Sequence, residues 1–137
     1  VNPHPAINTS PLIFLSKAGY LDLLKTLSST IIVPQAVATE IQAYGQNDLT
    51  YQQLNQQNWL EIRSISSVPS IIQNWDLGSG ESEVLAWGYL NKGTEIILDD
   101  LAARKCAITL KIPMRGTLGI VLLAKKKRSD FQSTSCN

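Results

Sequence analysis

The sequence predicts an α/β domain in which a parallel sheet is covered by helices on both faces, and three observations carry that prediction. Short apolar or β-branched runs alternate with helical stretches, no hairpin signal joins consecutive strands, and Gly or Pro falls where one element hands over to the next. The chain of 137 residues, 44% apolar and 17% charged, is long enough to bury one core without disulfides or a structural metal.

Ala6-Ile7-Asn8 forms the first apolar run. In Thr9-Ser10-Pro11, Ser10 suits a helix cap and Pro11 the first helical position, where a missing N–H costs nothing. Residues 12–18 and 21–27 read as two short helices divided by Gly19, followed by the β-branched strand Thr30-Ile31-Ile32-Val33. Pro34 stops that strand and opens a helix that runs to Tyr44 and ends at Gly45. Residues 46–58, rich in Gln and Asn, read as a connection with room for one helical stretch. Residues 59–65 alternate as a strand, residues 66–74 read as a loop, and Gly78-Ser79-Gly80 leads into a helix over residues 81–90. A buried-type strand over residues 94–98, a helix over 101–110, a last strand Ile112-Pro113-Met114 and a closing helix over 117–127 complete the order. One domain over residues 1–128 and a polar tail over residues 129–137 are expected.

Composition removes several function classes. No apolar run approaches the roughly 20 residues that span a bilayer, and Val1-Asn2-Pro3-His4-Pro5 does not resemble a secretory leader, so a cytoplasmic protein without membrane contact is expected. Cys106 and Cys136 have no metal-ligand spacing, and neither a Ser-His-Asp set nor a glycine-rich phosphate loop is present. His4, flanked by prolines, reads as a surface residue. Net charge is +1, but residues 1–100 carry a balance of −6 and residues 101–137 a balance of +7. Such a division suits a cationic rim for phosphates beside an acidic centre for a divalent cation, although a solvated helix end would look the same.

In parallel sheets ligands bind beyond the carboxyl ends of strands, where strand order reverses. Asn8 and the pair Asp99-Asp100 occupy such ends; one aspartate of the pair is expected to cap the helix that follows. On helical wheels Glu40 falls at the edge of an apolar stripe with Val33, Val37, Ile41 and Tyr44, and Glu81 shares a face with Val84, Leu85 and Gly88, while Glu83 lies roughly opposite. A carboxylate turned toward a core is costly unless paired or bound to metal, whereas a glutamate at a helix start is also favoured by the dipole. Oxygen donors without His or Cys favour Mg²⁺ or Mn²⁺ over zinc, and such an ion suits phosphate chemistry. A phosphate-accepting receiver domain also clusters aspartates on a parallel sheet. It is disfavoured here because the acids come from helices as well as strand ends, with no lysine suitably placed after a late strand.

Asn8-Thr9-Ser10-Pro11-Leu12-Ile13, Val33-Pro34 with Glu40, Gly80-Glu81-Ser82-Glu83, Leu98-Asp99-Asp100 with Arg104, and Gly116-Thr117-Leu118-Gly119 together resemble the PIN-domain family. The likeness is to a prokaryotic branch related to the ribonuclease toxins of type II toxin-antitoxin pairs. It implies a three-layer α/β domain with about five parallel strands, cleavage of single-stranded RNA, a small antitoxin partner and a homodimer. Carried over by position, it implies catalytic Glu40, Glu81, Asp99 and Asp100, and Mg²⁺ or Mn²⁺ held among Asn8, Glu40, Glu81, Glu83, Asp99 and Asp100. Ser10, Arg104, Lys105, Arg115, Lys125, Lys126, Lys127 and Arg128 are the expected nucleic-acid contacts. Family members commonly have Asp where this chain has Asn8, and an amide supplies an oxygen without a charge. A weakly active or inactive module that binds RNA or a protein is therefore the alternative.

Overall fold

Five strands, β1 (Ala6–Ile7), β2 (Ile31–Pro34), β3 (Leu60–Arg63), β4 (Ile96–Ile97) and β5 (Met114–Arg115), form one sheet in a computed structural model that describes residues 3–135. Their order is β3-β2-β1-β4-β5, and every neighbouring pair is parallel. The reason lies in the strands themselves: β1, β2 and β4 are buried at every position, which suits a sheet covered on both faces. β1 is central, with Ala6 in register with Ile32 on one side and Ile96 on the other. Prolines precede it without harm, because Pro5 only has to accept, from the N–H of Ile32 at 2.8 Å.

The helices are α1 (Thr9–Ala18), α2 (Gln35–Gln42), α3 (Leu49–Gln56), α4 (Ser70–Gln73), α5 (Ser79–Leu90), α6 (Leu101–Thr109) and α7 (Thr117–Ser135), with a 3-10 helix at Leu21–Thr26. α1 starts earlier than expected, so the capping position falls to Asn8 rather than Ser10 and Pro11 is the third helical residue. Its ring is tolerated there because the first four N–H groups of a helix have no internal partner. The Gln-rich connection contains α3, whose start is fixed by Asp48 accepting from the Tyr51 N–H at 3.1 Å. The segment expected to be loop contains α4, a single turn opened by Pro69 that buries Ile72. The last strand sits at Met114–Arg115 rather than beginning at Ile112, and α7 continues beyond Lys127 to Ser135.

Helix α5 lies close against the sheet because Gly88 has no side chain. A Cβ there would come within 2.6 Å of Ile112 Cγ2 and 2.8 Å of Ile96 Cγ2. The core gathers Ile7, Leu12, Leu15, Ile32, Val37, Leu85, Ile97 and Leu98 from both sides of the sheet. Cys106 is a free buried thiol in this core, and desolvation pushes it above the ordinary thiol range; Cys136 lies outside the described residues. Among the described residues no helix is long and apolar enough to cross a membrane.

Candidate functional site

The chain leaves β1 toward β2 and β3, then returns to β1's other side for β4 and β5, so strand order reverses between β1 and β4. Beyond their carboxyl ends lie Asn8 and Asp99. The Asn8 N–H extends the β1–β4 pairing by donating to Ile97 O at 2.9 Å. That bond aligns the backbone and leaves the Asn8 side chain free to turn into the crevice.

Asn8 is 3% exposed, yet its Oδ1 is a buried acceptor without a hydrogen-bond partner. An orphaned buried carbonyl costs on the order of 1–3 kcal/mol, so this oxygen, like the hydroxyls of Thr9, Thr50 and Thr94, has capacity to accept from a water or to face an ion. What faces it is set by Gly80 in the first turn of α5. The point a Gly80 Cβ would occupy is 2.7 Å from Glu40 Oε1 and 3.3 Å from Asn8 Oδ1. Both oxygens therefore crowd the same spot, which only a glycine leaves open. Glu40 comes from α2 and is exposed, so its carboxylate reaches this spot from solvent. Glu81 is half-buried, and its Oε2 would lie 2.8 Å from a Cβ at Gly78, the residue that opens α5.

The remaining acids have other attachments. Asp99 binds Thr117 at the start of α7, accepting from its N–H at 2.8 Å and from its hydroxyl. Asp99 Oδ1 and Arg104 Nη1 both flank Gly116, at 2.9 and 3.5 Å from where its Cβ would stand. Asp100 is the cap of α6, accepting from the Ala103 N–H at 2.9 Å. Glu83 Oε1 accepts from the Ala36 N–H at 3.0 Å and so serves the first turn of α2, not the crevice. The acids do not meet as one group: among the described residues, no three His, Cys, Asp or Glu side chains are placed to hold one metal ion.

The basic residues divide as well. The Arg115 guanidinium is held by Glu95 at 2.8 and 3.1 Å, a hydrogen-bonded pairing that keeps it more firmly protonated. Lys127 donates to Thr26 O at 2.7 Å, at the end of the 3-10 helix. Lys105, Lys125, Lys126 and Arg128 are exposed. His4 precedes β1, at the sheet's other end, where its Nδ1 is 3.0 Å from Ser28 Oγ.

Sequence reasoning missed Gly80 and Thr117, and it missed a cavity of about 630 Å³ between α1 and α7. Ser10 and Asp99 sit at this cavity, with Phe14, Tyr20, Leu118 and Val121 along its walls. A signal existed for Gly80 alone: a second glycine beside Gly78 weakens a helix start unless something approaches closely. A family model described as a PIN domain matches residues 5–131. No curated protein matches the chain.

Proposed function

Because the chain belongs to the PIN-domain family, which is generally dependent on divalent metal, we propose that it is a metal-dependent endoribonuclease acting on single-stranded RNA. The observation that carries this reading is the unpartnered, buried Asn8 Oδ1 beside Glu40 Oε1 at the reversal of strand order. These hard oxygens fit Mg²⁺ or Mn²⁺, and Mg²⁺ in particular keeps several waters and takes only one or two carboxylates from protein. A three-acid cage is not required. Asn8 and Glu40 would hold the ion.

When bound, the ion supplies Lewis acidity toward phosphate oxygens and neutralises their charge. The chain's own residues position the strand. Glu40, open to water, orients the approach; Arg104 beside Asp99 offers a planar donor for phosphate; and Lys105, Lys125, Lys126 and Arg128 attract the backbone. The likeness to toxin chains extends the proposal to a cytoplasmic setting, a homodimer and a small antitoxin partner.

A second reading is a non-catalytic module that binds RNA or protein. It is favoured by the neutral side chain at position 8 and by the engagement of Asp99, Asp100 and Glu83 elsewhere. A Mn²⁺ titration of cleavage on an unstructured RNA separates the two. Wild type cuts with Mn²⁺ but not with chelator, Glu40→Gln slows cutting by about a hundredfold or more, and Asn8→Asp shifts the titration to lower Mn²⁺. RNA binding without cleavage at every Mn²⁺ concentration replaces the enzyme by the module.

A further inference from the structure

The cavity of about 630 Å³ between α1 and α7 opens beside Asp99 and is walled mainly by apolar side chains. Phe14 is 55% exposed, Tyr20 50% and Leu118 69%, so these three walls of the cavity present apolar surface to water. Two of these three are aromatic, and aromatic faces accept any nucleobase by stacking.

The course of α7 beyond the cavity indicates the occupant's chemistry. Leu118, Val121 and Leu122 share one helical stripe, and Lys125 is three residues after Leu122 and seven after Leu118, so the stripe turns cationic. At 1.5 Å per residue, the apolar and cationic parts are about 10 Å apart, on the scale of a nucleotide or two. An amphipathic helix of a protein partner would want apolar anchors along the whole stripe. An apolar cavity with aromatic walls, followed by ammonium and guanidinium groups, instead matches a base and its downstream phosphates.

We infer that this cavity is a subsite for an unpaired nucleobase of RNA, stacked on Phe14, with Lys125 and Arg128 holding phosphates beyond it. The inference rests on the nuclease reading for the strand's direction toward Asp99, but base binding is measured separately from cleavage. Phe14 is a positioning residue in that reaction, not a catalytic one.

The test uses a short unstructured RNA carrying one fluorescent 2-aminopurine, titrated with the full chain in chelator so that nothing is cut. Stacking quenches the probe on wild type. Phe14→Ala, at a half-exposed position, keeps the melting temperature, weakens binding about tenfold and removes the quench, while Phe14→Trp restores both. An oligonucleotide abasic at the probe position binds wild type as weakly as the normal strand binds Phe14→Ala. Unchanged binding and quenching in Phe14→Ala overturn the subsite; if Phe14→Ala alters the oligomeric state in sedimentation instead, the face belongs to a protein contact and the subsite is likewise overturned. Subsequent Mn²⁺ addition separates the two ideas. Cleavage that Phe14→Ala performs unchanged sinks the subsite alone, whereas quenching without cleavage by wild type sinks the nuclease reading alone.

Discussion

At position 8 the chain has an amide where a carboxylate would face Glu40 across the gap left by Gly80. A second carboxylate there would add like charge near Glu40, whereas an amide can turn its oxygen toward an ion or its N–H toward Glu40. The crevice is therefore compatible with the folded state whether or not metal is present. Gly80 is the residue that keeps this choice open, and Gly80→Ala isolates its contribution. The new methyl would take the place of Glu40 Oε1, which lies 2.7 Å from the Cβ position. Glu40 is exposed and its tip can swing outward, but buried Asn8 Oδ1 at 3.3 Å and Val37 Cγ2 at 3.4 Å must also give slightly, which offsets the gain of up to about 1 kcal/mol from losing a helical glycine. Thermal denaturation should show a stability within about 1 kcal/mol of wild type, and Mn²⁺-dependent cleavage should fall at least tenfold, as a rough figure for a misplaced metal group. A variant as active as wild type would show that the position of Glu40 above Gly80 is immaterial.

Elements constrain one another through single side chains, and Glu83 links α5 to α2. Its acceptance from the Ala36 N–H replaces the cap that Pro34, at the start of α2, cannot provide by a side chain. Glu83→Ala should therefore cost about 1 kcal/mol, as loss of a helix cap does, whereas Glu83→Gln keeps an accepting oxygen and most of the stability. Chemical denaturation reads the difference. If Glu83→Gln instead keeps stability and loses metal-dependent cleavage, Glu83 is a ligand after all. This bond also shows where sequence stops being informative. The parallel sheet was legible because apolar runs such as Ile31-Ile32-Val33 and Ile96-Ile97-Leu98 bury both faces, and Gly or Pro punctuates them. The single turn α4 was not, since four residues have too little period to read and Ile72 is its only buried side chain. The extent of α7 was not, because the polar residues after Lys127 carry no apolar stripe and helix can continue without one. For the site, the strand-end rule located Asn8 and Asp99, and the expected cap proved to be Asp100. A helical wheel gives direction but not reach, and thus it put Glu83 away from the body of the domain although its carboxylate reaches α2.

Over the whole molecule, charge is segregated: Glu40 and Asp99 stand near the crevice, while the middle of the last helix carries a run of cations. Lys125, Lys126 and Arg128 are exposed, and Lys127 is turned the other way, onto Thr26 O. Residues three and seven positions apart share a helical face, so Lys125 extends the Leu118 stripe while Lys127 lies opposite it. A strand laid along that stripe meets Lys125, Lys126 and Arg128 and misses Lys127. Each phosphate neutralised on single-stranded nucleic acid releases counterions and adds about 0.7 to the slope of log affinity against log salt. Removing Lys125, Lys126 and Arg128 together should lower that slope by about 2 and weaken binding to all unstructured RNAs alike, without moving the sites of cleavage. Lys127→Ala should leave the slope unchanged and show its effect in thermal stability, because its ammonium is already committed within the fold. Binding isotherms across a salt series decide the matter: an equal drop for the triple variant and for Lys127→Ala would mean that α7 attracts RNA by diffuse charge, with no defined track for the strand.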